Sequence, residues 1–122
     1  DRDCISRVID ELKAIGYINN QLYAQKYVYD RSKLKPMSKK MMKIELMSKG
    51  IPEETAEEVL ADWKAEDTDV ARSLVKRKFG KYDLRDEKIM KKAYMFLAHR
   101  GFSRDTIKEV LREFDTEIND EL

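Results

Sequence analysis

One phrase occurs twice in this chain. Residues 46–60 read LMSKGIPEETAEEVL and residues 97–111 read LAHRGFSRDTIKEVL, each an amphipathic run, a glycine and a second amphipathic run. After the first glycine, Ala56, Val59, Leu60 and Trp63 fall at i, i+3, i+4 and i+7; after the second, Ile107, Val110, Leu111 and Phe114 repeat that spacing in phase. Such spacing makes one apolar stripe on a helix. A stripe that cannot be covered within its own unit must be covered by neighbouring helices, so a chain written this way is constrained to a stacked helical repeat.

The glycine explains the corner. A helix whose last carbonyls lack partners is well stopped by a residue in the left-handed region, which glycine enters without steric penalty. In that stop the residue after the glycine packs back onto the preceding helix, pairing Ile51 with Leu46 around Gly50 and Phe102 with Leu97 around Gly101. The segment LKAIGY has the same grammar, pairing Tyr17 with Leu12 around Gly16. A third stripe, Ile5, Val8, Ile9 and Leu12, precedes it, so a third corner is expected there. The following helices start at Pro52 and at a Ser103 N-cap, with Glu53, Glu54 and Asp105 at the positive end of the helix dipole.

Weaker stripes cover residues 19–33, 38–48, 67–79 and 87–99, for seven helical patterns in all and no alternating strand. Ala24 and Ala71 occupy matching places ahead of Gly50 and Gly101, so each unit holds three helices. Charged residues make up 40 % of the chain, with four glycines and two prolines, which suits helices with solvated outer faces. The expected fold is all-α, with tandem three-helix repeats forming an elongated, curved array. Residues 1–17 are read as the last helix of a truncated first repeat, 18–65 and 66–116 as two full repeats, and 117–122 as an acidic tail. The absence of an initiating methionine adds the expectation that this is a piece of a longer chain.

The single cysteine, Cys4, cannot form an internal bridge and points to a reducing, cytoplasmic setting. No window is long and apolar enough to cross a membrane. No P-loop, GxGxxG, His-x3-His pair or nucleophile elbow occurs, and the only histidine, His99, stands at a helix end where a surface or capping role suits it better than general-base work. No enzyme activity, metal or cofactor is expected. The carboxylates Glu53, Glu54, Glu57 and Glu58 suit a solvated helix face. The six methionines fit core and inter-repeat filling better than a contact surface. Of the tyrosines, Tyr23 and Tyr27 read as core, leaving Tyr29 as a stacking candidate.

Charge carries the functional signal. Net charge is +1, yet residues 31–49 hold seven Lys and Arg against one acid, residues 72–92 hold nine against three, and residues 53–69 hold eight acids against one lysine. Equivalent helices of a stacked repeat fall on one side, so the basic blocks are expected to merge into one surface for an acidic partner or polyanion. Its candidate residues are Arg31, Lys33, Lys39, Lys40, Lys43, Lys49, Arg72, Lys76, Lys78 and Arg100.

AIGYINNQLYAQKYVYDR (residues 14–31), IELMSKGIPEETAEEVL (44–60), ARSLVKRKFG (71–80) and FLAHRGFSRDTIKEVL (96–111) together resemble the RecX family of bacterial RecA regulators. The resemblance covers nearly the whole chain, in the family's order, and implies tandem three-helix repeats. Gly16 with Tyr17, Gly50 with Ile51 and Gly101 with Phe102 match the family's repeat corners, where the implied role is structural. The implied activity is non-enzymatic: binding the RecA filament in its groove and restraining extension, ATP hydrolysis, strand exchange and co-protease activity, in DNA repair, recombination and SOS control. Weak DNA binding and a monomeric state accompany that expectation. The alternatives are a helical nucleic-acid-binding protein and a generic helical scaffold.

Overall fold

The computed structural model describes residues 2–121, with side chains as far as Phe114. Among these residues the chain is all helical, in the order α1 (Arg2–Leu34), α2 (Lys39–Ser48), α3 (Glu53–Asp62), α4 (Asp67–Phe79), α5 (Glu87–His99) and α6 (Arg104–Glu121). Among the described residues no helix is long and apolar enough to cross a membrane. The side chains of the acidic tail expected at 117–122 lie outside the described residues.

Among the described residues two cores form, and they share no residue. The first is built from Ala24 and Val28 of α1, Met42 and Leu46 of α2, and Ala56, Val59 and Leu60 of α3, with Met37 and Ile51 from the connections. The second is built from Ala71 and Val75 of α4, Ala93 and Leu97 of α5, and Ile107, Val110 and Leu111 of α6, with Leu84 and Phe102. Corresponding positions carry corresponding loads: Ala24 and Ala71 are both fully buried, as are Leu46 and Leu97. Each alanine is fully enclosed, so a larger side chain there would have to displace a neighbour.

The corners at Gly50 and Gly101 have the expected geometry. Both glycines have positive φ, 92° and 87°. Ile51 N–H donates to the Leu46 carbonyl (3.1 Å) and Gly50 N–H to that of Met47 (3.0 Å); Phe102 donates to Leu97 (3.2 Å) and Gly101 to Ala98 (3.0 Å). That is the paired hydrogen bonding of a Schellman stop. The clamp residues Ile51 and Phe102 are buried. Ser103 caps α6, its Oγ accepting from Thr106 N–H at 3.2 Å.

The corner expected at Gly16 does not form. Gly16 lies inside α1, whose 33 residues run unbroken from the stripe of Ile5 to the far end of the first unit. The described positive-φ glycines are Gly50 and Gly101. The seven expected patterns therefore become six helices, because the first two fuse, and the expected division between residues 17 and 18 falls within a helix. The reason is local sequence without its tertiary context. A stop is stabilised when the clamp residue and its target are buried together, but Leu12 is exposed, and so is Tyr17, whose hydroxyl donates to Glu58 Oε2 on α3. Without that clamp, continuing the helix keeps main-chain hydrogen bonds that a stop would forfeit.

Candidate interaction surface

The two units meet at a polar joint built from chain termini of helices. Ser38 is the N-cap of α2, its Oγ accepting from Met41 N–H at 3.1 Å. Its own N–H donates to the carbonyl of Arg100, the last residue of the α5 turn, at 3.0 Å. Arg100 Nη1 in turn donates to the Pro36 carbonyl at 2.8 Å. Next to them Lys39 N–H donates to Asp67 Oδ1 of α4 at 3.0 Å, so a carboxylate from one unit sits at the positive end of a helix in the other. Groups left unpaired by two helix ends thus satisfy each other across the joint.

Beside this joint lie two adjoining hollows. One, of about 260 Å³, is lined by Ser32, Pro36, Ala65, Asp69, Val70, Ser73, Leu74 and Arg77. The other, of about 300 Å³, is lined by Leu34, Pro36, Leu74, Arg77, Lys78, Phe96 and Arg100. Pro36, Leu74 and Arg77 form their common wall. The Lys78 ammonium stands 4.1 Å from the centre of the Phe96 ring and the Arg100 guanidinium 4.9 Å from it, so two cations share one aromatic ring.

The ten cations named from the sequence divide between four situations. Several are engaged within the fold. Arg72 holds Glu113 through two hydrogen bonds (2.7 and 3.0 Å) and Asp69 through a third (2.7 Å). The guanidinium keeps the Glu113 carboxyl below its usual range, and Glu113 with Asp69 raises Arg72 further above its own. Lys43 donates to Glu57 (2.8 Å) and Glu53 (2.9 Å), which raises its pKa and lowers that of Glu57. Lys39 Nζ donates to the Trp63 carbonyl at 2.9 Å. Arg31 Nε donates to the Tyr27 hydroxyl (3.1 Å) and stands 3.4 Å from Glu45 Oε2, a buried oxygen that accepts no hydrogen bond among the described residues. Arg31 and Lys78 occupy equivalent places in the two units, and so do Glu45 and Phe96: the same helix pair is bridged once by an ion contact and once by a cation over a ring.

Others lie on aromatic rings. Lys33 stands over Tyr29 at 5.6 Å and Lys49 over Tyr27 at 5.6 Å. Tyr29 is exposed, as the sequence reading required of a stacking candidate, while Tyr23 is exposed rather than core. The third group stands in solvent. Lys40 and Lys76 are exposed; Lys40 shares a hollow of about 390 Å³ with Lys39, Lys43, Glu57, Leu60 and Ala61, and the Lys76 charge acts on Glu113. Lys78 and Arg100 are brought together at the joint, whereas Lys39, Lys40 and Lys43 cluster between α2 and α3.

Arg77 and Phe96, which complete the joint hollow, were not singled out by charge pattern. Arg77 stood inside the basic block of residues 72–92, which was signal enough; Phe96 reads as one more apolar position of α5, and nothing local says that it carries two cations.

Known proteins match this sequence. Residues 19–60 match the family description "RecX, second three-helix domain" and residues 65–111 match "RecX, third three-helix domain". The chain is 35 % identical over 107 residues to a protein of Chlorobium phaeobacteroides named "Regulatory protein RecX", covering 88 % of this chain and 70 % of that one. Proteins of the same name are similar in Prosthecochloris aestuarii (29 % identical, 93 % of this chain and 74 % of the relative) and Clostridium botulinum strain Eklund 17B (33 % identical, 93 % and 54 %). No solved structure gives a significant match.

Proposed function

This chain belongs to the RecX family, and from that membership we propose that it binds filaments of the RecA recombinase and restrains their extension, ATP hydrolysis, strand exchange and co-protease activity. The observation that carries the reading is the pair of three-helix units, each with its own core and each matched by its own family domain. Two units, each with its own core and joined by polar contacts, offer two surfaces that neighbouring protomers of a filament could engage together. Two linked contacts bind far more tightly than either alone, because the second forms within the reach of the first. Restraint follows from bridging, with no chemistry required, so the protein works as a non-enzymatic, cytoplasmic regulator.

The exposed cations Lys40, Lys76, Lys78 and the joint arginines are the contacts assigned to an acidic filament surface, with nearby DNA phosphate as an accessory. The test is RecA assembled on single-stranded DNA with ATP. Adding the chain is expected to lower the steady-state ATPase rate and shorten filaments seen by electron microscopy. Unchanged rate and length at saturating chain would sink the proposal, and tight RecA-independent binding to DNA at physiological salt would replace it with a nucleic-acid-binding role.

A further inference from the structure

We propose that the paired hollows at the joint form a docking site for a linear acidic protein segment, one apolar side chain entering the first hollow and a neighbouring carboxylate the second. The inference rests on reading this chain as an interaction module and names the chemistry of what one part of it grips.

Charge points to the occupant. Among the described residues three cations line the second hollow, Arg77, Lys78 and Arg100, and no acid does. Lys78 and Arg100 converge on one ring, 4.1 and 4.9 Å from its centre, so their mutual repulsion is held in place by the Phe96 quadrupole and would be relieved by an anion set between them. Arg100 commits Nη1 to the Pro36 carbonyl, which fixes the guanidinium plane while leaving further donors of the fork to face a carboxylate. Lys78 and Arg77 lie on α4 among residues that are exposed.

The apolar part points to a peptide rather than a phosphodiester. Leu34 is 83 % exposed at the rim of the cationic hollow. The adjoining hollow is walled by Pro36, Ala65, Val70 and Leu74, and its one acid, Asp69, already holds Arg72. A bare phosphate backbone gains nothing from Leu34 and Val70 and is repelled by Asp69. A peptide that places an aliphatic side chain there and an acid beside it uses both walls. Because Leu34 and Pro36 belong to the first unit and the cations to the second, the bound segment straddles the joint and would fix the two units relative to each other.

The test uses the full chain without any recombinase. A blocked octapeptide of leucines interspersed with aspartates is titrated, with amide NMR shifts for location and calorimetry for affinity. Three further probes are the same peptide with serines for leucines, with asparagines for aspartates, and a ten-nucleotide oligothymidylate. The acidic leucine peptide is expected to shift Leu34, Leu74, Arg77 and Phe96 amides, and Arg77→Glu to weaken it by about tenfold or more. Arg77→Gln, an exposed change that puts no acid at the C-terminal end of α4, keeps the parent's thermal melt and gives a smaller loss of binding. Shifts that map elsewhere overturn the proposal. So does equal binding by the serine or asparagine peptide, and so does an oligothymidylate that occupies the hollow as strongly. A chain that slows RecA but ignores the peptide defeats this inference and leaves the proposed function standing; a chain that binds the peptide but not RecA does the reverse.

Discussion

Ser38 and Gly101 lie so close that a Cβ built on the glycine would stand 2.6 Å from the serine Oγ, and 2.7 Å from the Cβ of Met41. Gly50, the same corner in the other unit, faces open space. Both glycines are left-handed, so alanine at either is expected to cost about 1–2 kcal/mol from backbone strain alone. At Gly101 the added methyl must also push the joint apart, a further penalty of roughly 1–3 kcal/mol. Urea unfolding of the two variants should therefore rank Gly101→Ala well below Gly50→Ala; equal losses would mean that the joint yields freely.

Gly16 gives the opposite sign. It lies within α1, and apart from the helix's own nearby backbone no described atom comes within 4 Å of an added Cβ. Alanine there should stabilise by about 0.5–1 kcal/mol, through helix propensity and a less flexible unfolded chain. A loss on Gly16→Ala would show that the glycine turns a corner after all.

The separate cores make a prediction about additivity. Leu46→Ala and Leu97→Ala each empty a fully buried site and should cost about 2–5 kcal/mol. The residues belong to clusters with no common member, so the double variant should lose the sum to within about 0.5 kcal/mol. Denaturant titrations of the four proteins measure the coupling directly.

Acid should weaken the second unit through Glu113. Its folded pKa lies below the ordinary value of 4.5, chiefly through the Arg72 hydrogen bonds, so the folded state releases this proton more readily than the unfolded chain. The resulting stability is complete above the unfolded carboxylate range and is lost as pH falls through the lowered folded value. Thermal melts of Glu113→Gln should fall below those of the parent at pH 7, and the gap should close as pH drops below 4.5. A gap independent of pH would refute the ionic origin.

Charge reversals should sort the cations by what they already hold. Lys40→Glu alters an exposed side chain and is expected to reduce RecA inhibition at unchanged melting temperature, whereas Lys76→Glu also removes a favourable charge from Glu113 and should lower the melting temperature slightly. Lys43→Glu and Arg72→Glu turn ion pairs into repulsive contacts and should lower the melting temperature as well. Measuring both quantities for all four separates contact from scaffold.

The all-α repeat and the corners at Gly50 and Gly101 were legible because their causes are local. A stripe of period 3.6, a glycine free to take positive φ and a clamp residue next to it all lie within a few positions of one another. The same local grammar at Gly16 reads identically and folds differently, since the stop needs a buried clamp that neighbouring sequence does not supply. The basic blocks were equally plain, but their meaning was not: Arg72 finds Glu113, Lys43 finds Glu57, and Arg100 reaches back to Pro36. Those pairings depend on which helix faces meet, and sequence spacing carries no record of that. By itself, then, the sequence determined two helix triplets and where each turns. Only the tertiary structure decided which charges are consumed within them and which converge at the joint, because a charge is neutralised by whatever lies across space from it.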